Sequence, residues 1–226
     1  MKILEVCTGD PSGIQAAIQG GADRIELCSG LAEGGLTPSA GIIRYAVSQP
    51  IKVNVLIRPR SGDFVYSKDE VELMLADIKE AIDAGADGIV VGALTPDGDV
   101  DVEACRKFIK AAGDADTTFH RAFDVCRNPF ESLETIIGLG FKRILTSGQK
   151  ASALEGADML RQLNERAAGR IRIMAGAGVN QDNAYNILSR SMADDIHASA
   201  RSTVPSGMRH SQSGASMGSA DASDGS

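Results

Sequence analysis

Along the chain, short stretches alternate polar with apolar residues, and longer stretches between them bring an apolar residue back every three or four positions. The short ones begin near Lys2, Arg24, Ile51, Gly88, Thr117, Arg143, Arg170 and Asp195. Their spacing of roughly 28 residues is what a strand plus a covering helix requires. Between them, Val71, Leu75, Ile78 and Ile82 form a helical stripe over Glu70 to Ala84, and Asp101 to Ala112 reads as another helix. Regular βα alternation predicts a parallel sheet with right-handed crossovers. Eight such strands in this length favour a closed (β/α)8 TIM barrel over an open doubly wound sheet.

Helix starts are signposted. Asp10-Pro11, Thr37-Pro38 and Asn128-Pro129 each place a capping side chain before a proline, and Ser67 to Glu70 and Ser152 to Glu155 fit the capping box. The turns into the even strands resemble one another: Gly21-Ala22-Asp23-Arg24-Ile25, Gly85-Ala86-Asp87-Gly88-Ile89, and more loosely Gly140-Phe141-Lys142-Arg143-Ile144 and Ala193-Asp194-Asp195-Ile196. Glycine there suits a left-handed helix end. Shared ancestry of the units and convergence of αβ turns both stay open.

The alternation has an unusual polarity. If Leu4, Val6, Ile25 and Leu27 face the helices, then Glu5, Cys7, Arg24, Glu26 and Cys28 face the barrel interior. Carboxylates and thiols inside a sheet are costly unless they pair, bind or react. Glu-apolar-Cys occurs at the end of each of the first two strands, which implies matched heights on neighbouring strands.

In this fold ligands bind at the C-terminal ends of the strands. Collecting inward candidates there adds Asn54, Arg58 and Arg60 from strand three, and His120 and Asp124, with Arg121 nearby, from a strand five running from Thr117 to Asp124. Ser147 follows strand six, Gly176 and Gly178 follow strand seven, and His197 and Ser199 end strand eight. The fourth strand, Gly88 to Leu94, is small and apolar and gives room. Two histidines converging on Glu5, Glu26 and Asp124 suggest acid–base chemistry, with Glu5 or Glu26 as base and His120 as acid. Arginines and glycine-rich turns suggest a small anionic ligand, phosphorylated or carbohydrate-like, held by Asn54, Arg58, Arg60, Arg121, Ser147, Gly176, Gly178 and Ser199. An arginine there also has the alternative role of neutralising Glu5 or Glu26.

Composition narrows the classes. The chain has 226 residues, is 43% hydrophobic and carries a formal net charge of −7. That charge argues against nucleic acid or an anionic membrane as the main partner. No apolar run approaches the roughly 20 residues of a membrane helix. The chain enters a strand at once, with no signal-peptide pattern, so the four cysteines Cys7, Cys28, Cys105 and Cys126 are expected as reduced thiols in the cytoplasm. No Cys-x-x-Cys pair supports structural zinc. Cys7 and Cys28, on strands about 4.8 Å apart, present two thiolates to a soft ion such as Cu(I); two small buried hydrophobes in a barrel wall is the competing reading.

The barrel domain is expected over 1–201. From 202 to 226 the chain is rich in serine, glycine and alanine and offers too little apolar surface to offset its ordering entropy. No eighth helix is visible, so the final helix is missing or replaced by an irregular tail. A homo-oligomer would cover the exposed wall.

The chain resembles the CutC family of copper homeostasis proteins. The resemblance rests on Glu5-Val6-Cys7, Gly20 to Cys28, Ala32-Glu33-Gly34-Gly35-Leu36-Thr37-Pro38-Ser39, Ile57-Arg58-Pro59-Arg60-Ser61-Gly62-Asp63-Phe64, Phe119-His120-Arg121-Ala122-Phe123-Asp124 and Ile196-His197-Ala198-Ser199-Ala200-Arg201. It implies a (β/α)8 barrel, a cytoplasmic location, homo-oligomers and a copper site on Cys7 and Cys28. An enzyme using the acid–base residues at the barrel mouth is the alternative expectation.

Overall fold

Eight parallel strands close into a barrel in sequence order: β1 (Ile3–Thr8), β2 (Arg24–Leu27), β3 (Lys52–Leu56), β4 (Gly88–Val91), β5 (Asp116–Phe119), β6 (Arg143–Thr146), β7 (Arg172–Ala175) and β8 (Asp195–Ala198), with β8 pairing back onto β1. The computed structural model describes residues 2–202 together with Gly207, Arg209 and His210. Most of the proposed tail, 202–226, therefore lies outside the described residues. Seven α-helices cover the barrel: α1 (Pro11–Gln19), α2 (Ala40–Val47), α3 (Lys68–Asp83), α4 (Val102–Ala112), α5 (Pro129–Leu139), α6 (Ala157–Ala167) and α7 (Ala184–Ser191). No eighth helix follows β8 among the described residues. In its place, a cavity of about 480 Å³ opens between α1, Leu4 and Val6 of β1, and residues 199–202. No described helix is long and apolar enough to cross a membrane.

The capping signals act largely as written. Asp10 accepts from the Gly13 backbone N–H, Ser67 and Glu70 form a reciprocal capping box, and Asn128 accepts from Phe130 and Glu131. Two are displaced. Ser39, rather than Thr37, occupies the cap of α2, because the Thr37 hydroxyl accepts from the Arg58 N–H. Ser152 caps an isolated turn, and α6 begins only at Ala157.

The repeated turns have a physical explanation. Asp23, Asp87 and Asp194 each accept from the backbone N–H of Leu4, Val53 and Ile173, at 2.8, 2.8 and 2.9 Å. An aspartate entering an even strand thus satisfies a donor on the odd strand before it. Lys142 holds the equivalent place before β6 and has no such carboxylate.

The core lies between barrel wall and helices. Ile25, Leu27, Val53, Val55, Ile89, Ile144 and Ile173 pack outward against Ile14, Ile43, Met74, Phe108, Leu133 and Leu160. The inward face of β1 and β2 is polar, as the alternation predicts. The register is not the matched one, however: Cys7 stands opposite Glu26, and Glu5 opposite Arg24. Strands in a closed barrel are tilted, and the resulting stagger offsets equivalent positions. β5 is also shorter than expected. It stops at Phe119, and Asp124 belongs to a 3-10 turn over Arg121–Val125 capped by His120.

Candidate functional site

The interior divides into two ends with different chemistry. At the N-terminal end, Arg24, Asn54, Asp116, Arg143 and Arg172 surround a cavity of about 470 Å³. The Arg143 guanidinium donates to Asp116 at 2.8 Å, to Asp195 at 3.0 Å and to Thr118 at 2.9 Å. Arg172 pairs with the same Asp195, which is fully buried. Asn54 lies here, away from the mouth, so it does not join the other candidates. Gly88 makes room for it: a Cβ on Gly88 would stand 2.6 Å from Asn54 Oδ1.

Above this layer, Arg24 Nε meets Glu5 Oε2 at 2.5 Å, and His197 Nδ1 lies 2.8 Å from Glu5 Oε1. Burial alone would raise the Glu5 carboxyl, but the hydrogen bonds and charges of His197 and Arg24 outweigh it and hold Glu5 at about 2. Glu5 is thus a fixed anion that orients His197. The ring's other nitrogen, Nε2, points toward Glu26 at 3.7 Å. Burial pushes the Glu26 carboxyl up. For His197 burial acts downward, yet the facing Glu26, Cys7 and Glu5 raise it well above the ordinary imidazole value. The thiol of Cys7, the carboxylate of Glu26 and the ring of His197 offer ligand atoms within 4.8 Å of one another.

Cys28 completes this cluster from above. Its sulfur lies 3.1 Å from Cys7 Sγ despite the offset register. The hydrogen bond with Cys28 and burial both push the Cys7 thiol up, so it keeps its proton. Leu31, Leu56 and Val90 wrap the two sulfurs in an apolar shell. Gly35 is needed beside them: its φ is +93°, and a Cβ there would come within 2.7 Å of Leu56.

Cys7, Glu26 and His197 form the floor of a cavity of about 580 Å³ at the barrel mouth. Arg58, His120, Arg121, Asp124, Gly178 and Ser199 also line it. Several take structural partners. Arg58 donates to the carbonyls of Glu33, Gly35 and Gly62, each at 3.0 Å, and so ties two mouth loops together. Asp124 accepts from the Thr146 hydroxyl, the Ser147 and Gln149 N–H groups and Arg121, which makes it the organiser of the β6 loop. Ser147 donates its hydroxyl to the Lys150 carbonyl. Arg60 bonds Glu70 and Asp63 outside the cavity. Gly176 is required by packing, since a Cβ would stand 2.5 Å from Leu145.

His120 differs from all of these. Burial first, and the nearby Arg58 charge second, lower it to about 3, so the ring is neutral. A neutral ring is a hydrogen-bond donor and acceptor rather than an imidazolium acid, and it does not supply the acid role expected of it. Its Nδ1 accepts from the Ala122 N–H at 3.2 Å. Phe64, which strand patterning does not single out, packs against it in a tilted arrangement with ring centroids 4.9 Å apart. Leu31 and Val179 were likewise invisible as lining residues, because loop conformation after a strand carries no periodic signal. The polar partner Arg24 was legible in the alternation.

Comparison with known proteins identifies the family. The model of the CutC family matches residues 2–202. The human copper homeostasis protein cutC homolog is 49% identical over 96% of this chain and 80% of its own length. A family protein CutC of Bacteroides fragilis is 48% identical over 96% of this chain and 87% of its own. A crystal structure of CutC from Streptococcus agalactiae superposes with a TM-score of 0.84 at 34% identity, covering 88% of this chain and 99% of that one. The extent of the family match and the identity to these relatives establish that the chain belongs to the CutC family.

Proposed function

We propose that the chain binds Cu(I) as cargo through Cys7 and Cys28, in keeping with the copper homeostasis that names its relatives. The observation that carries this reading is the approach of the two sulfurs to 3.1 Å, with Cys7 at the floor of an open cavity. Soft thiolates select Cu(I), and the apolar shell of Leu31, Leu56 and Val90 excludes the water that hydrated competitors require. Once it gives up its proton, His197 offers a third donor on the same side, oriented by Glu5 in the manner of a carboxylate behind a metal-binding imidazole. Because the Cys7 thiol is held protonated, loading releases protons and strengthens as pH rises. Four free, buried cysteines suit a reducing compartment, and the reading places the protein in the cytoplasm.

Competition against a chromogenic Cu(I) chelator under reducing conditions tests it. Cys7→Ser and Cys28→Ser are each expected to abolish tight binding, whereas Cys105→Ser, remote in α4, leaves it intact. Wild-type affinity in the Cys7→Ser/Cys28→Ser double variant would remove the proposal.

A further inference from the structure

The copper reading uses the floor of the mouth cavity and leaves its wall unexplained. His120 is 4% exposed and lines that cavity, yet its Nε2 has no hydrogen-bond partner. The position of the proton follows from the other nitrogen. Nδ1 accepts from a backbone N–H, so in the neutral ring the hydrogen resides on Nε2, which is a donor without an acceptor. Leaving such a group unsatisfied costs about 1–3 kcal/mol, and buried polar groups are rarely left so.

The ring is also held firmly. Phe64 packs on one side as a tilted ring at 4.9 Å and Phe119 meets its edge at 6.0 Å. Gly92, just after β4, leaves the space the ring occupies: a Cβ there would lie 2.9 Å from Nδ1. Arg58 adds a second donor to the same wall. Its Nη1 and Nη2 are committed to carbonyls, its Cζ lies 5.2 Å from the Phe64 centroid, and its buried Nε is unpartnered. Farther round the mouth Arg201 adds positive charge, whereas Arg121 is paired with Asp124.

We propose that the mouth cavity is a binding site for a small organic carboxylate bearing a carbonyl group, with His120 Nε2–H and Arg58 Nε–H donating to its oxygens. The donors set the class. A neutral imidazole N–H stabilises a carbonyl oxygen without giving up its proton, and a guanidinium favours an anion. The cavity of about 580 Å³ is large enough for a ligand of a few carbon atoms together with water. This site shares a cavity with Cys7 but none of the ligand atoms of the thiol pair.

The test uses the whole chain labelled with ¹⁵N-histidine, which gives signals from only three residues, His120, His197 and His210. Pyruvate, acetate and inorganic phosphate are titrated in turn. Pyruvate is expected to shift the His120 Nε2–H resonance and slow its exchange with water, more tightly than acetate. His120→Phe should weaken pyruvate binding by about tenfold or more, the worth of one hydrogen bond. His120→Gln, which restores an N–H donor, should recover part of that loss. No response of the His120 signal to any probe would overturn the proposal, as would a response to phosphate alone or full pyruvate affinity in a folded His120→Phe. Should His120→Phe fail to fold, the wild-type titration and His120→Gln decide. Cu(I) affinity measured on His120→Gln keeps the two readings apart: it is expected to be unchanged whether or not pyruvate binds.

Discussion

The two ends of the barrel are built from the same pattern of inward polar residues and reach opposite outcomes. At the N-terminal end, Arg143 and Arg172 share Asp195, and Arg143 also holds Asp116. The charges there largely satisfy one another and plug the barrel. At the mouth, two thiols face each other, and His120 Nε2 and Arg58 Nε are left without acceptors. Polar groups that pair internally serve the fold; those left over are available to a ligand. Among the described residues Asn54 breaks the division, being buried among the plug residues with both side-chain polar atoms unpartnered.

Breaking the plug is expected to have the largest effect. Asp195→Asn removes the carboxylate shared by two arginines, but Arg143 keeps Asp116 and Arg172 is partly exposed. The cost is that of buried donors left short of an acceptor, about 1–3 kcal/mol. Urea denaturation should show that loss of stability, while an unchanged midpoint would mean that the arginines find other partners.

Between plug and mouth, Glu5 links the two regions, and acid should expose the link. Its folded value of about 2 lies below the ordinary 4.5, so its contribution to stability is complete above 4.5 and is lost as pH falls toward 2. Glu5→Gln should be less stable at neutral pH and should show a flatter stability profile between pH 4.5 and 2 than the wild type. Parallel profiles for the two proteins in that range would dissociate Glu5 from acid unfolding.

The smallest expected effect sharpens the contrast from the mouth side. Ala177, after β7, has φ of +82°, a left-handed conformation that strains any residue with a Cβ. Ala177→Gly should raise stability by up to about 1 kcal/mol in thermal melts, less the added chain entropy of glycine. A destabilised variant would show that the methyl group packs well enough to outweigh the strain.

The sequence by itself determined the barrel and which face of each strand looks inward. A period of two and a period of 3.6 are local signals, and Ile25 and Leu27 announce their face without any knowledge of the fold. It also placed Glu5, Glu26, His197 and both cysteines inside, because charge among apolar neighbours is visible in one dimension. Tertiary structure alone decided what those groups do. The stagger of tilted strands set Cys7 opposite Glu26 instead of Cys28, and brought the sulfurs together all the same. Arg58 and Asp124, equally good candidates by type, were drawn to loop carbonyls and N–H groups that no spacing rule reveals. Arg60 left the cavity for Glu70, and Asn54 fell to the opposite end. Hydrogen bonding is exclusive and short-ranged: a donor is free for a ligand only after every neighbour in space has failed to claim it, and the chain lists neighbours in sequence only.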